Sequence, residues 1–267
     1  PVWKASFGNG RPGWHIEDTA ITEHFFGPQY DLHGGGRDLA FPHHEAEIAQ
    51  QESASGKKPF VKIWLHAGLV SVNGKKMSKS LGNFITVRDF LANHDPNVFR
   101  FLVARHHYRS PINFSSALVL ETETMLSSIQ EFLAKLAFAK KKAGSENSAV
   151  PTEAFDRAFT EAMDDDLNTP EAIAAVFKAI GALNAVVWNL GRSEIRKAEH
   201  WFSEKLTVLG VTLAVPKIPL KIKGFAALRE RLRRHQQFIK ADALRKKVEA
   251  LGYTIEDTPV GPLVLRK

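Results

Sequence analysis

The chain has 267 residues, of which 44% are hydrophobic and 24% charged, and its formal net charge is +7. This composition is typical of a globular domain and excludes collagen-like, low-complexity and disordered classes. Cysteine is absent, which excludes disulfides, thiolate metal sites, iron–sulfur clusters and cysteine nucleophiles. The sequence has neither a run of 18 apolar residues nor a signal-peptide pattern, so we expect a cytoplasmic protein with no membrane partner. Because residue 1 is proline, we also expect a processed product or a fragment.

The positive charge is concentrated at the C-terminal end of the chain. Residues 217–267 contain 13 Lys or Arg against 5 Asp or Glu, whereas residues 1–216 contain 23 against 24. A basic segment on a nearly neutral body is the electrostatic pattern of a nucleic-acid-binding module. A solvated basic face without a partner has the same composition, so charge alone leaves both interpretations open.

The order of predicted elements changes along the chain. Residues 1 to about 112 combine Gly-rich turns with short apolar runs, which indicates alternating strands and helices. From 115 to 209 apolar residues recur at helical spacing, which indicates a helical bundle. The Pro- and Gly-containing stretch 214–224 has the composition of a linker, and two basic helices and a strand-like tail follow it. We therefore predict an α/β domain over 1–114, a helical bundle over 115–215 and a small basic α+β module over 224–267.

Three glycines, Gly34, Gly35 and Gly36, follow a predicted strand, and Asp38 comes two residues later. A turn without side chains lets the backbone approach a flat ligand closely, and the Asp38 carboxylate can accept hydrogen bonds from ribose hydroxyls. The spacing matches neither G-x-G-x-x-G nor the P-loop. A nucleotide site and a plain tight turn are both compatible with this segment.

The next candidate site is a pair of potential metal ligands. Pro42 suits a helix start, so His43 and Glu47, four positions apart, are predicted to project from one face of a helix. A nitrogen and a carboxylate oxygen at this spacing form a two-point chelate, and Asp18 is a candidate third ligand. A surface His–Glu pair is the alternative interpretation of the same spacing.

The most specific string is the lysine loop, residues 74–83, which reads Gly-Lys-Lys-Met-Ser-Lys-Ser-Leu-Gly-Asn. It follows a strand-like run and precedes a helix opened by Thr86, with Asp89 three residues later as in a capping box. Ammonium groups at a strand-to-helix junction suit a polyphosphate whose negative charge grows in the transition state. Composition alone favours a solvated turn, whereas the order Lys-Met-Ser-Lys-Ser is the signature of class I aminoacyl-tRNA synthetases.

Several strings taken together resemble the cysteinyl-tRNA synthetase family, in order and in spacing from about Trp3 to Lys267. They are Gly-Arg-Pro-Gly-Trp-His-Ile-Glu at 10–17, the segment from Asp-Leu-His-Gly-Gly-Gly to Glu-Ile-Ala-Gln at 31–50, the lysine loop with its Leu-Gly-Asn-Phe, Met-Asp-Asp-Asp-Leu-Asn-Thr-Pro at 163–170 and Ala-Asp-Ala-Leu-Arg at 241–245. The resemblance implies the second half of a Rossmann-like class I catalytic domain, a helical bundle that contacts tRNA, and an anticodon-binding module. It also implies activation of cysteine by ATP to cysteinyl-adenylate and transfer of the cysteinyl group to tRNA(Cys).

The resemblance assigns roles to individual residues. Lys76 and Lys79 would stabilise the pyrophosphate leaving group, with Ser78 and Ser80 shaping the loop. The adenosine would be held by the three glycines, Gly34, Gly35 and Gly36, and by Asp38, with Lys79 also contacting ATP. The amino-acid pocket would be lined by Trp14 and His15, with Trp64 and His66 beside it.

The resemblance also implies one Zn²⁺ per chain. His43 and Glu47 fall on two of the family's four zinc-ligand positions, and Asp18 stands where the family has cysteine. Zinc accepts oxygen ligands in His/carboxylate sites, so the change from sulfur to oxygen is compatible with a metal. We expect Asp18, His43 and Glu47 to hold the ion together with one ligand outside this chain. The ion would bind the thiolate of the substrate.

The sequence departs from the family in two further respects. The string His-x-Gly-His, which a class I synthetase needs in the first half of its nucleotide fold, does not occur in these residues. We therefore expect this chain alone to be inactive in cysteine activation, and to have an unpaired sheet edge and an uncovered apolar face. The tail at 261–266 has no aromatic residue, so stacking on a base does not come from that position.

Cations of the basic module are the candidates for contacts with RNA phosphates, with affinity falling steeply as salt rises. They are Arg229, Arg231, Arg233, Arg234, Lys246 and Lys247. Two alternatives to a tRNA ligase remain open. One is a ligase that joins activated cysteine to a small amine, as in mycothiol biosynthesis, which needs no basic module. The other is a non-catalytic tRNA-binding paralogue, for which an intact lysine loop is unnecessary. We expect a monomer.

Overall fold

The computed structural model describes residues 2–77, 82–141, 143 and 152–266, with Lys76 described by its backbone alone. The chain folds into two compact units, one made of Pro1–Phe84 with His106–Phe114 and the other of Ile85–Arg105 with Ser115–Lys267. Ser78, Lys79 and Ser80 of the lysine loop lie outside the described residues.

The first unit alternates strands and helices, as the sequence predicts. In chain order its elements are β1 (Trp3–Ala5), β2 (Gly8–Gly10), α1 (Trp14–Phe26), β3 (Tyr30–Gly36), a 3₁₀ turn (Arg37–Leu39), a π-helical turn (Ala40–His44), α2 (Glu45–Ser55), β4 (Val61–Ala67), β5 (Val70–Val72), β6 (Lys75–Lys76) and β7 (Ile112–Phe114).

Besides the antiparallel pair of β1 and β2, two small sheets organise this unit around a crossover connection. Strands β3 and β4 are parallel, from Tyr30 opposite Val61 to Gly36 opposite Ala67, and α2 provides the crossover that a parallel pair requires. A second sheet has the order β6-β5-β7, in which β5 is antiparallel to β6 and parallel to β7. Gly68 makes the close approach between these segments possible, because a Cβ at this position would come within 2.2 Å of the Ser110 carbonyl oxygen.

The predicted turn at Gly34, Gly35 and Gly36 is wrong, because these glycines are the last three residues of strand β3. The chain turns only after them, at Arg37–Leu39. The predicted uncovered apolar face is confirmed by two strand residues that are neighbours in register. Leu32 on β3 and Ile63 on β4 are 57% and 61% exposed, and β3 and β4 form a two-stranded sheet among the described residues.

The second unit contains the helical bundle and the basic module. Its elements are α3 (Val87–Leu91), α4 (Pro96–Ala104), α5 (Ser116–Lys140), α6 (Thr152–Asp164), α7 (Thr169–Val186) with a 3₁₀ turn (Val187–Asn189), α8 (Arg192–Val208), α9 (Leu220–Arg234), α10 (Phe238–Ala250), β8 (Tyr253–Thr258) and β9 (Gly261–Arg266).

The predicted cap at Thr86 is confirmed at the start of α3. The Thr86 side chain accepts a hydrogen bond from the Asp89 backbone N–H at 3.0 Å, and its hydroxyl donates to the Asp89 carboxylate at 2.6 Å. Asn168 caps α7 by accepting from the Glu171 backbone N–H. Such caps satisfy backbone donors that have no partner inside the helix.

The bundle core is formed by buried aliphatic and aromatic side chains of α5, α7 and α8. Phe132 of α5 packs edge-to-face on Phe202 of α8, with ring centroids 5.2 Å apart. The segment Thr169–Asn189 is long and apolar enough to meet the length and composition of a membrane span. Within the unit, however, its residues Ala172, Val176 and Leu183 are buried, so packing in the bundle accounts for its apolar character.

The basic module packs its two helices on a β-hairpin. Strand β8 pairs with β9 from Tyr253 opposite Arg266 to Thr258 opposite Gly261, so the predicted strand-like tail is a two-stranded ribbon. Helix α9 begins at Leu220, which makes the linker shorter than predicted. The core of the module is a cluster of five buried residues, Ile222, Ala226, Val248, Ile255 and Val264.

Candidate active site and metal centre

The candidate site forms where α1 packs on α2. Thr19 is buried at this contact, and its hydroxyl lies 2.7 Å from the His15 carbonyl oxygen and 3.3 Å from Gln50 Oε1. A small side chain at the crossing lets the two helices approach closely. Asp18, the residue before Thr19, is thereby placed against the N-terminal end of α2.

Three predicted metal ligands meet at this point. His43 Nε2 lies 3.0 Å from Asp18 Oδ2 and 2.8 Å from Glu47 Oε1. The ligand atoms of these three residues all lie within 4.8 Å of one another. The predicted i,i+4 proximity of His43 and Glu47 is therefore confirmed.

Glu47 is fully buried, and neither of its carboxylate oxygens has a hydrogen-bond partner among the described residues. Its short approach to His43 lacks hydrogen-bond geometry, and His43 Nδ1 is likewise buried without a partner. Burial raises the pKa of Glu47 to about 7, and the Asp18 carboxylate adds to this effect while His43 opposes it. A buried carboxylate without a donor is destabilising unless a cation accompanies it.

A zinc ion fits this arrangement. Zinc bonds to nitrogen and oxygen of about 2.0 Å place the ligand atoms of a tetrahedral site about 3.3 Å apart, close to the two distances measured at His43 Nε2. The unpartnered oxygens of Glu47 are the acceptors that such an ion would satisfy. Asp18, His43 and Glu47 therefore provide three ligands of chemically suitable type.

A second group of histidines lies beside the triad. His44 Nδ1 is 2.8 Å from His66 Nε2, and the His33 ring stacks on Trp64 with centroids 4.8 Å apart. Burial, reinforced by neighbouring imidazoles, lowers the pKa of His44 to about 4, and burial lowers the pKa of His33. The His44 ring is therefore neutral at pH 7.

The structure brings together most of the predicted amino-acid pocket. Trp14 stacks on His43 with centroids 4.1 Å apart, and His15 approaches the same ring edge-on at 6.0 Å. Trp64 and His66 have nearly parallel rings 6.2 Å apart. The predicted residues thus surround the histidine pair at the start of α2.

Sequence reasoning missed His33, His44 and Tyr30 as members of the cluster. His33 Nδ1 lies 3.8 Å from Glu47 Oε2 and is hydrogen-bonded to the Tyr30 hydroxyl. His33, His44 and Glu47 form a second group with metal-ligand spacing, but Nδ1 of each histidine already has a partner. The Asp18 triad is the better metal site, because it sets two carboxylates around one imidazole nitrogen, 3.0 Å and 2.8 Å from His43 Nε2. The available signal was the strand position of His33, two residues before Gly35.

The glycines of β3 have a structural role that differs between positions. A Cβ at Gly35 would come within 2.6 Å of the His44 ring, and one at Gly36 within 2.6 Å of Asp38 Oδ1. At Gly34 the nearest atom would be 3.8 Å away, at Leu65 O. Asp38 is exposed at the end of β3 and lies over Gly36, where an approaching ligand can reach it.

In the basic module, the predicted phosphate contact of Arg229 is wrong. Arg229 is completely buried, and its guanidinium forms two hydrogen bonds with the two carboxylate oxygens of Asp257. This bidentate pair lowers the pKa of Asp257. Arg229 therefore holds α9 to β8 and does not face RNA.

The other predicted cations remain at the surface with different partners. Arg233 Nη1 is 3.2 Å from Asp257 Oδ2, Arg234 Nε is 3.1 Å from Glu230 Oε1, and Lys247 Nζ lies 4.8 Å from the centre of the Phe225 ring. Arg231 and Lys246 are exposed.

Segments of the chain, among them the one that carries the candidate metal site, match known protein families. Residues 1–124 match the family described as the tRNA synthetases class I (C) catalytic domain, and residues 158–214 match the DALR domain. The cysteine–tRNA ligase of Caldicellulosiruptor saccharolyticus is 38% identical over 100% of this chain and 59% of its own length. Over its whole length, the chain is similar to cysteine–tRNA ligases.

Other cysteine–tRNA ligases match to the same extent. The cysteine–tRNA ligase of Syntrophotalea carbinolica is 40% identical and that of Thermococcus onnurineus 38%, each over 98% of this chain and 59% of the relative. The chain thus spans about three-fifths of the length of the curated relatives it matches. An Agrobacterium radiobacter LeuRS, solved in a ternary complex with tRNA and LeuAMS, shares the fold with a TM-score of 0.55 at 14% identity. That match covers 80% of this chain and 34% of the LeuRS.

Proposed function

We propose that this chain is part of a cysteine–tRNA ligase, which activates cysteine with ATP to cysteinyl-adenylate and transfers the cysteinyl group to tRNA(Cys). The observation that carries the proposal is the cluster of Asp18, His43 and Glu47 in a chain that aligns over its whole length with cysteine–tRNA ligases. A metal site beside stacked aromatic rings suits an amino acid with a soft side-chain ligand.

The three residues would hold one Zn²⁺ with a fourth ligand outside this chain. When bound, zinc accepts and deprotonates a thiol, which distinguishes cysteine from serine because sulfur is the softer ligand. Trp14 would form one wall of the pocket through its stacking on His43. The neutral His44 ring would avoid adding positive charge beside the ammonium group of the substrate.

ATP would lie at the end of β3 and beneath the lysine loop. Gly34, Gly35 and Gly36 present backbone without side chains, and exposed Asp38 would accept hydrogen bonds from the ribose. Lys76 and Lys79 would stabilise the charge that develops on the pyrophosphate leaving group, with Ser78 shaping the loop.

The tRNA would contact the second unit. A groove of about 1160 Å³ runs between α5 and the basic module, and its lining includes Lys217, Lys223 and Arg266. Arg231 and Lys246 add exposed positive charge on α9 and α10. We divide the chain accordingly into a partial catalytic domain (1–114), a helical bundle (115–215) and an anticodon-binding module (224–267), in a monomeric cytoplasmic protein. The basic module disfavours a ligase acting on a small amine, which needs no RNA-binding end.

The test is cysteine-dependent ATP–pyrophosphate exchange followed by charging of tRNA(Cys). The polypeptide purified from its natural source is compared with this 267-residue chain, and serine replaces cysteine as the control substrate. We expect exchange by the natural polypeptide, none with serine, and none by the isolated chain. Failure of the natural polypeptide to catalyse exchange with cysteine would overturn the proposal. Activity of the isolated chain would instead overturn the expectation that it is inactive alone.

A further inference from the structure

The lysine hairpin, formed by β5 and β6, leads into the lysine loop. Strand β6 has two residues, and two register pairs join it to β5, namely Ser71 with Lys76 and Val72 with Lys75. The turn between them is Asn73-Gly74, in which both residues have positive φ, 49° and 75°, as in the two-residue turns that favour Asn-Gly. So short a ribbon is marginal in water unless other contacts hold it.

Strand β7 supplies those contacts through the side chain of Asn113. Strand β7 is parallel to β5 and places Asn113 beside Ser71 in register. Asn113 Oδ1 accepts a hydrogen bond from the Gly74 backbone N–H at 2.8 Å and lies 3.3 Å from the Ser71 hydroxyl. The Asn73 backbone N–H donates to the Phe114 carbonyl at 3.2 Å. One carboxamide oxygen thus joins the turn and the first strand of the hairpin to β7.

We propose that Asn113 is a positioning residue for the lysine loop. Its carboxamide oxygen fixes the turn at Gly74. The fixed turn sets the direction of the two-residue strand β6 and therefore the position of the Lys76 backbone. Without an acceptor at position 113, the Gly74 N–H turns to water and the hairpin loses the side-chain hydrogen bond that ties its turn to β7. The inference rests on the proposed function, because it treats the lysines as ligands of a polyphosphate.

The positioning itself is tested by hydrogen exchange on the 267-residue chain. N113A removes the acceptor, N113D keeps two acceptor oxygens, and Q29A is the matched control because Gln29 donates a side-chain hydrogen bond to the Pro59 carbonyl elsewhere in the unit. In N113A we expect the Gly74 amide to exchange about 3- to 10-fold faster, as for loss of one hydrogen bond. N113D and Q29A should stay within about twofold of the wild type. Equal rates at Gly74 in N113A and wild type would overturn the inference.

The consequence for catalysis is tested by pyrophosphate exchange on the natural polypeptide. N113A should lower kcat about tenfold and leave the KM for cysteine unchanged, since misplaced lysines weaken contacts to the transition state. N113D should recover most of the rate. A KM effect without a kcat effect would contradict the inference. If wild-type protein shows no exchange, the proposed function fails, and the Gly74 exchange rates still decide whether Asn113 positions the hairpin.

Discussion

Gly35 lies against the imidazole of His44, so closely that a Cβ at position 35 would come within 2.6 Å of His44 Cε1. The ring is held there by its hydrogen bond to His66, 2.8 Å from Nδ1 to Nε2. Strand β3 thus makes room for the histidine cluster by lacking a side chain at this position. The glycine is required by packing and not by its backbone angle.

This relationship predicts different outcomes for two adjacent substitutions. G35A should destabilise the first unit by about 1–3 kcal/mol, because the added methyl group displaces His44 in a packed site. G34A is the matched control, since its Cβ would be 3.8 Å from the nearest atom and should cost less than about 1 kcal/mol. Urea denaturation of both variants measures the difference. Equal destabilisation would show that His44 does not occupy the space above Gly35.

Substitution of Glu47 tests the metal centre. E47Q replaces a ligand by a neutral isostere and should weaken zinc affinity by at least about 100-fold, measured by competition with a chelator. E45Q changes an exposed glutamate of the same helix and should bind zinc like the wild type. In chelator, E47Q should unfold no earlier than the wild type, because it removes a buried charge that has no donor. Unchanged zinc affinity in E47Q would exclude Glu47 as a ligand.

Arg229 is predicted to stabilise the basic module and not to bind RNA. R229M leaves Asp257 without its bidentate partner and should reduce stability by about 2–4 kcal/mol. R234M changes an exposed arginine that pairs with Glu230 on the same helix, and should cost less than about 0.5 kcal/mol. The two variants are compared by chemical denaturation. Comparable losses would contradict the burial of Arg229.

The same pair predicts a pH dependence of stability. Hydrogen bonding to Arg229 lowers the pKa of Asp257 in the folded state. The contribution of the Asp257 carboxylate to stability is therefore fully present above its unfolded pKa of about 4. That contribution is lost as the pH falls through the pKa of Asp257 in the folded state. Between pH 6 and pH 2 the stability difference between wild type and D257N should shrink. D31N, at the exposed Asp31–Lys62 pair, is the control. A difference from D257N that is constant with pH would contradict the shift.

Exposed cations of the basic module should contribute to RNA affinity. Replacing Arg231 and Lys246 together by glutamine should reduce the slope of log affinity for tRNA against log salt by about two. R157Q is the control, because Arg157 lies among Glu153, Asp156 and Glu161 at a separate pocket. Affinities are measured by titration at several salt concentrations. A slope unchanged by the double substitution would remove these two residues from the interface.

Local sequence patterns determined the helices of the bundle, one helix cap and one contact of the candidate metal site. The spacing of His43 and Glu47 predicts their contact, because four residues make about one turn of a helix. The cap at Thr86 and the helical bundle follow from equally short-range patterns. The order of motifs along the chain likewise indicates the family before any distance is known.

Contacts between segments that are distant in the sequence were decided by the tertiary structure alone. His33 joins the cluster only because β3 and β4 pair in parallel register, which places it beside Trp64, 31 residues away in the sequence. Arg229 lies in a helix whose basic composition predicts exposure. It is buried instead, because α9 packs on a hairpin that carries Asp257. Such contacts depend on pairing and burial between elements, and a side chain's own sequence neighbourhood carries no information about the partner it meets across the fold.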